Sequence, residues 1–562
     1  MNKKWEYCEP DMDIVKRISV KFDVSELLAK VLVNRDIIKD EEIEIFLDPK
    51  RTDFYDPFLM PDMKEAVDRI LKAIKEKEKV IIYGDYDVDG ITSITVLKKF
   101  LLECGLDAGY YIPNRLEEGY GLNKEAINEI GKDGYTLIIT VDCGISSVKE
   151  VNICNELGIE TIIVDHHEQA EELPKAFAII NAKRKDSEYP FRGLAGVGVV
   201  FKLIQAISIQ LGLKEEKYLK YLDLVCIGTI SDIVPLIDEN RVITKLGLKL
   251  IEQTKNVGLR ELISKTGYTT INANVISFGI APRINACGRM GYEKDALQLF
   301  LTEDLDETRE ITDKLNLYNI QRQEKEKEIL KQALAELEEE NIDKLNSIVL
   351  SGDNWHHGVI GIVASKLAET FFKPVILVSF EKEDGKGSGR SVPGFDLHNA
   401  LILSNKYLEK YGGHEMAVGL SIKKKMFKDF KENFENIACE QKTEEIVPTI
   451  KIDTQITAKD INKQILNELQ ELEPYGEKNR RPVFCYKNLK IDSIRALSNG
   501  KHLKLILKDD NYLVNAIGFN IGHLAEEYLI GDKVDIVGML ELNSYNGEEI
   551  IQINIRDIMK SI

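Results

Sequence analysis

Three stretches of this chain share one pattern: a run of β-branched and aliphatic residues that breaks off at acidic or imidazole side chains. VIIYGDYDVDG (80–90) passes from Val80–Tyr83 into Asp85, Asp87 and Asp89. TLIITVD (136–142) stops at Asp142, and TIIVDHH (161–167) stops at Asp165, His166 and His167. The helix-like segments ITSITVLKKFLLECG and SSVKEVNICNELG lie between the runs. Strands alternating with amphipathic helices read as a parallel, doubly wound sheet, whose ligands sit beyond the carboxyl ends of the strands. LVCIGTISD (224–232) reads as a fourth strand reaching Asp232. All four endings then lie along one edge of one sheet.

Such an edge has an electrostatic problem. Alternate positions of an extended chain project to the same side, so Asp85, Asp87 and Asp89 crowd one another. Like charges that close disfavour full ionisation unless something positive lies between them. Mixed Asp/His ligation suits Mn²⁺, Mg²⁺ or another borderline ion rather than a thiolate-bound structural zinc. Two ions bridged by a shared carboxylate are the usual device for phosphoester hydrolysis. A lone Asp after a strand would read as a turn residue or helix N-cap; four acidic endings in series read as a metal centre.

The rest of the chain bounds the alternatives. At 562 residues it is too long for one core. No apolar h-region opens it and no run of 18 apolar residues occurs, so a cytoplasmic protein without a membrane span is expected. The 8 cysteines are scattered without a C-x-x-C pair, as expected of reduced thiols. A formal charge of −19 gives no support to a generic polyanion binder and leaves local basic patches or bound metals as the route to nucleic acid. GLAGVG (193–198) has the wrong glycine spacing for a dinucleotide fingerprint, and no G-x-x-x-x-G-K-[ST] is present. Its glycines read as helix-entry geometry near the cleft.

A charged helical stretch from Thr302 to Leu345 carries one intermittent apolar face (Ile311, Leu315, Ile329, Leu330, Leu334, Leu337) and suits a connector. A second α/β unit runs from SIVLSGD (347–353) to YGGHEMAVGL (411–420). From about 446 the chain turns β-rich, with hairpin signals at Asn499-Gly500 and Asn546-Gly547. KNRRPVFCYKNLK (478–490) interleaves basic residues with Phe484 and Tyr486, the mixture a single-strand groove uses. His356 and His357, just before Gly358, read equally as helix-end packing and as substrate contacts.

YGDYDVDG, VDCG, VDHH and GTISDIVPL resemble, in order, the four motifs of the DHH phosphoesterases, and more specifically those of the RecJ family of single-strand-specific exonucleases. IPNRLEEGYGL (112–122), LAGVGVVFKL (194–203), APRINACGRMG (281–291), GRSV and YGGHEMAVGL extend the likeness, which runs from about residue 40 to the end. The resemblance implies an α/β fold in five parts. These are an N-terminal extension (1–55), a DHH catalytic domain with a parallel doubly wound sheet (56–300) and a long connecting helix (301–345). A DHH-associated α/β domain (346–443) and a C-terminal OB-like β-barrel (446–562) complete it.

The resemblance further implies a metal-dependent 5′→3′ exonuclease that degrades single-stranded DNA to mononucleotides in repair and recombination, using two Mn²⁺ or Mg²⁺ ions. Asp142 matches the bridging ligand; Asp89, His166 and Asp232 complete one site; Asp87 and Asp142 hold the other. His167 matches a phosphate contact and Asp165 an orienting carboxylate. Many relatives in the wider superfamily have a ligating histidine where this chain has Tyr83, and Asp85 is the substitute ligand expected here. Arg115, Arg283, Asn285, Arg289, Ser388, Arg390 and His414 match substrate-binding positions. The expected partner is single-stranded DNA, with a single-strand-binding protein or a helicase as candidate recruiters and a monomer as the expected state. Two rival readings are a nano-RNA or cyclic-dinucleotide phosphodiesterase and a non-catalytic DHH-fold replication factor. The β-rich tail tells against the first, and the four intact motifs tell against the second.

Overall fold

The computed structural model describes residues 3–115, 118–119, 121–340, 342–441, 447–545 and 548–561. Outside these fall Leu116, Glu117 and Tyr120 of the 112–122 motif, the boundary at 443–446 and the Asn546-Gly547 hairpin signal. The chain forms two compact units, one of Asp56–Asp232 with Leu250–Val447, the other of Met1–Tyr55, Ile233–Lys249 and Pro448–Ile562.

In the first unit the apolar runs become the parallel strands β1 (Val80–Gly84), β2 (Gly109–Tyr111), β3 (Leu137–Val141), β4 (Glu160–Val164) and β5 (Ala178–Ile180), in the order β2-β1-β3-β4-β5. Every residue of β1 and β3 is buried, as a sheet with helices on both faces requires. Helix α1 (Val88–Glu103) starts straight after β1 because Asp87 caps it, accepting from the amides of Asp89 and Gly90.

The expected fourth strand is not one. Residues 222–231 form helix α3 (Leu222–Ser231), which follows helix α2 (Gly196–Gln210) and packs against both α2 and α1. Burial on all sides makes α3 apolar all round, and a short apolar run of that kind has no period to separate helix from strand. Asp232 is therefore the C-cap of a helix.

Helix α4 (Ala281–Met290) leads to the long α5 (Leu305–Glu339), whose 35 residues span about 52 Å. Its first half packs on the catalytic side: Leu315 is fully buried, and Asn316 and Tyr318 meet Arg283 and Tyr292. Its second half, through Ile329, Ala333 and Leu337, enters the core of the domain that follows. That domain is a mixed sheet of β6 (Ile348–Asp353), β7 (Val375–Glu381), β8 (Asp384–Arg390), β9 (Lys410–His414) and β10 (Ala417–Lys423), in the order β9-β10-β8-β7-β6. Helix α6 (His357–Phe371) covers β7 and β8.

In the second unit β11 (Phe484–Leu497), β12 (His502–Asp509), β13 (Tyr512–Gly518), β14 (Lys533–Tyr545) and β15 (Glu548–Lys560) run β11-β12-β13-β15-β14, and β14 pairs back onto β11 to close a barrel. Asn499 in the left-handed region and Gly500 turn β11 into β12, as the sequence indicates. Residues 1–55 do not stand apart from the tail: Val15, Ile18, Leu28, Leu32 and Phe46 share one apolar core with the barrel strands.

Phe484 and Tyr486 also belong to that core, 0% and 1% exposed, so they fill the barrel and offer no stacking surface. On a half-buried strand the alternate residues point inward, and these aromatics occupy inward positions. Phe519, 49% exposed and edge-on to His502, and Tyr512, also 49% exposed, face outward from the barrel.

Arg241 ties this unit together. Fully buried, it lies 3.6 Å from the Phe46 ring, donates to the carbonyls of Leu472 (3.1 Å), Glu471 (2.8 Å) and Glu473 (3.2 Å), and also bonds to that of Phe46. Arg241→Met should leave these carbonyls without their donor and destabilise the unit by on the order of 3 kcal/mol. The chain's two tryptophans report on different units, Trp5 on this one and Trp355 on the other. Denaturant unfolding of a Trp355→Phe background should show the Trp5 transition moving to lower denaturant, and an unmoved midpoint would show that the carbonyls are satisfied otherwise.

Candidate metal centre and phosphate pocket

The carboxyl ends of β1, β3 and β4, the C-cap of α3 and the start of α1 converge. Ligand atoms of Asp85, Asp87 and Asp142 lie within 4.8 Å of one another, as do those of Asp89, His166 and Asp232, and those of Asp142, His166 and His167. Asp142 and His166 belong to more than one of these groups. Nε2 of His166 lies 3.2 Å from Asp142, 3.6 Å from Asp232 and 3.9 Å from Asp89.

Backbone geometry is what allows such crowding. Asp142 adopts a left-handed φ of 59°, unusual for a non-glycine residue. Asp89 accepts the amides of Gly196 (2.7 Å) and Val197 (2.8 Å) at the first turn of α2, whose dipole favours a carboxylate there. A Cβ on Gly196 would lie 2.6 Å from Asp142 Oδ1, and one on Gly228 would lie 3.1 Å from Asp89 Oδ1. Gly196 thus lets the start of α2 approach two acids.

Burial, and then the neighbouring carboxylates, push Asp85 and Asp142 well above the usual range, Asp89 up to about 7 and Asp232 up to about 9. Burial holds the His166 ring down near 3, hence neutral. Neither of its nitrogens has a well-aligned hydrogen bond, and Asp85 Oδ1 is buried without a partner. Lone pairs of a neutral imidazole facing carboxylate oxygens repel unless a cation lies between them. The donor set, oxygen-rich with imidazole, fits Mn²⁺ or Mg²⁺.

Asp165 plays a different part. Its oxygens accept from the amides of Ile145 (2.9 Å), His166 (2.7 Å) and His167 (3.1 Å), and from Nδ1 of His167 at 2.7 Å. Burial would raise it, but these bonds outweigh burial and hold Asp165 at about 2. The same contact, against the opposing effect of burial, raises the His167 ring. Tyr83 points elsewhere: its hydroxyl donates to the Gly121 carbonyl at 3.0 Å and its ring stacks on Tyr111.

Beside the acids lies a cluster of guanidinium groups. Arg115 sits 4.9 Å from the Tyr86 ring centre. Arg289 on α4 donates to the Gly358 carbonyl at 3.0 Å, and Arg390 on β8 donates to Ser388 Oγ at 3.1 Å. Burial, then the charges of Arg115, Arg322 and Arg390, lower Arg289 to about 9. Arg322, from α5, is the member that the motifs do not reveal; it bonds to Asn319 (2.6 Å) and Glu326.

Two other residues are placed differently. Arg283 faces α5, bonded to Asn316 at 3.1 Å and to the Gly279 carbonyl, on the side of α4 away from Arg289. Asn285 accepts from the Val88 amide at 3.2 Å and so braces the start of α1. His414 ends the exposed strand β9, in register with Ala417 and Arg390 across β10 and β8.

The raised aspartates set a pH dependence. Unfolded, they ionise near 4; folded and without a cation, they hold their protons to higher pH. The folded state therefore binds more protons, and stability is lost as pH rises from about 4 through the folded values near 7 and 9. Thermal melts in EDTA should fall steadily from pH 5 to 8.5, Asp142→Asn should flatten the slope, and added Mn²⁺ should raise the melt most at high pH. A pH-independent effect of Mn²⁺ would mean that the cluster does not bind it.

Residues 79–229 match the DHH family, N-terminal domain, residues 344–440 the DHHA1 domain, and residues 452–557 the RecJ OB domain. The single-stranded-DNA-specific exonuclease RecJ of Bacillus subtilis is 39% identical over 99% of this chain and 70% of its own. That of Thermus thermophilus is 34% identical over 89% of this chain and 71% of its own. The crystal structure of RecJ in complex with Mn²⁺ from Thermus thermophilus superposes with a TM-score of 0.87 at 30% identity, covering 100% of this chain and 80% of that one. An exonuclease RecJ bound to manganese gives 0.61 at 36% identity, over 68% of this chain and 95% of that one. Fold, site chemistry and full-length similarity agree, and the chain belongs to the RecJ family.

Proposed function

We propose that this protein is a metal-dependent exonuclease that degrades single-stranded DNA from its 5′ end to mononucleotides. The observation that carries the reading is the pairing of a buried carboxylate–imidazole cluster with a neighbouring cluster of arginines. Asp85, Asp87, Asp89, Asp142, His166 and Asp232 would hold two Mn²⁺ or Mg²⁺ ions. When bound, such a pair activates water and neutralises charge on the attacked phosphate.

The chain's own residues do the rest. Asp165 fixes His167 through Nδ1, so Nε2 is the nitrogen available to a phosphate oxygen, where a protonated ring stabilises developing charge. Arg115, Arg289 and Arg390, with Ser388, form a pocket for a terminal phosphate. A terminal monophosphate carries more charge than an internal diester, so a pocket of arginines favours a strand end over its middle. Outward-facing Phe519, His502 and Tyr512 give the barrel a surface on which bases can stack. Recruitment by a single-strand-binding protein or a helicase, a monomeric state and a cytoplasmic location belong to the same reading; no helix is long and apolar enough to cross a membrane among the described residues.

Asp142→Asn should abolish hydrolysis in Mn²⁺. Strands blocked at the 5′ end should resist the wild-type protein while strands blocked at the 3′ end are degraded, and the reverse order would overturn the polarity. Arg289→Gln removes a charge-assisted contact of about 1.5–3 kcal/mol, so KM for a 5′-phosphorylated strand should rise roughly ten- to a hundredfold. Its melting temperature should hold or rise, because a half-buried charge crowded by other guanidinium groups is removed; a large loss of stability would assign Arg289 to the fold instead. Phe519→Ala should weaken strand binding by about 1–3 kcal/mol and leave turnover of a saturating short oligonucleotide unchanged.

A further inference from the structure

Beyond the arginines, the sheet face that carries Arg390 continues past the edge of α6. Lys386, Ser388 and Arg390 alternate along β8 on the side facing α6, where a Cβ on Gly361 would meet Ser388 Oγ and Arg390. Their neighbours across β10 are Ser421, Gly419 and Ala417, and those across β9 are Lys410, Gly412 and His414. Helix α6 covers β7 and β8 only, and β9 is exposed throughout.

The middle row of this grid, Gly419 and Gly412, is open: a Cβ at either would meet nothing within 4 Å. A cavity of about 360 Å³ opens there, lined by His357, Lys386, Ser388, Lys410 and Ser421. It shares His357 and Lys386 with a second cavity of about 750 Å³ that Lys325 also lines. Of the nearby acids, Asp384 pairs with Lys423 and Asp353 with Lys424, while Glu381 pairs with His357 of the lining itself. Among the described residues no carboxylate pairs with Lys386, Lys410 or Lys325.

A strand advances about 3.3 Å per residue, so Lys386 lies about 13 Å along β8 from Arg390. Ser388 and the open glycine row fill the interval, and Lys386 and Lys410 stand side by side across it. A terminal phosphate held by the arginines thus has a basic, unobstructed ledge on its outer side. An ordinary 5′-monophosphate end has nothing to place there.

We propose that this ledge is a subsite for additional phosphates on the 5′ end, so that the enzyme accepts 5′-triphosphorylated strands directly. The inference rests on the 5′-end reading above. In the reaction, water adds to the first internucleotide phosphorus and O3′ of the terminal nucleotide leaves with a proton. A nucleoside 5′-triphosphate departs, and the remaining strand keeps a new 5′-phosphate. No phosphoanhydride bond breaks.

The test compares one oligonucleotide bearing either a 5′-monophosphate or a 5′-triphosphate, with products separated by chromatography. The wild-type protein should release a nucleoside triphosphate from the second substrate, with KM within about threefold of the first. The double variant K386Q/K410Q, at two exposed positions, should raise KM for the triphosphate end about tenfold and change the monophosphate end less than twofold. K386R/K410R should restore it. Equal effects on both ends, no effect on either, or release of pyrophosphate before any nucleotide would overturn the subsite. Failure on the monophosphate substrate itself would instead refute the 5′-exonuclease reading.

Discussion

Mutual repulsion among buried carboxylates is the constraint around which the first unit is organised. Five aspartates and a neutral imidazole lie in overlapping groups of three whose ligand atoms come within 4.8 Å of one another, an arrangement that costs stability unless positive charge is supplied. Part of that charge is built in. Asp89 faces two amides at the start of α2, Asp87 faces two at the start of α1, and Arg115 acts on Asp85 from across Tyr86. Helix dipoles are fixed partial charges and cannot neutralise a cluster of this size. The remainder comes from protons when no cation is bound and from cations when one is, so folding, pH and metal binding are linked in this unit.

The arginines present the complementary problem. Arg289 is half-buried, bonded to one carbonyl and surrounded by three like charges. Its neighbours come from three places: Arg115 from the loop after β2, Arg322 from the long helix and Arg390 from the second sheet. A pocket assembled across domains is complete only when α5 holds both in register. The apolar contacts at its two ends, Leu315 on one side and Ile329 with Leu337 on the other, do that. The proposed phosphate site therefore depends on a helix that touches the ligand at most through one residue.

Much of this was legible in the sequence, and the exceptions have physical causes. The strand endings at Asp85, Asp142 and Asp165–His167 could be read because a parallel sheet fixes where its carboxyl ends lie. Asp232 joins the acid cluster from the end of a helix and not of a strand, since a helix buried on all faces leaves no periodic signature. Phe484 and Tyr486 misled because composition does not show which alternate face of a strand is inward. Arg322 was invisible: an arginine four residues before a glutamate on a charged helix reads as a surface pair, and only the fold brings it to Arg289. Gly196 was read as helix-entry geometry, but that its Cβ would strike Asp142 needs three dimensions.

The two charge clusters are also joined through a single side chain. Tyr86 lies in the chain between Asp85 and Asp87, and its ring meets Arg115. One residue thus separates the acids proposed to hold metal from the arginines proposed to hold the terminal phosphate. Gly288 on α4 approaches the same residue so closely that a Cβ would lie 3.0 Å from the Tyr86 carbonyl, which leaves the tyrosine little freedom to shift. One constrained side chain thus stands between the two charge clusters. Acids and arginines of opposite charge are held side by side by the short segment between β1 and α1, so the first turn of chain after the sheet fixes both.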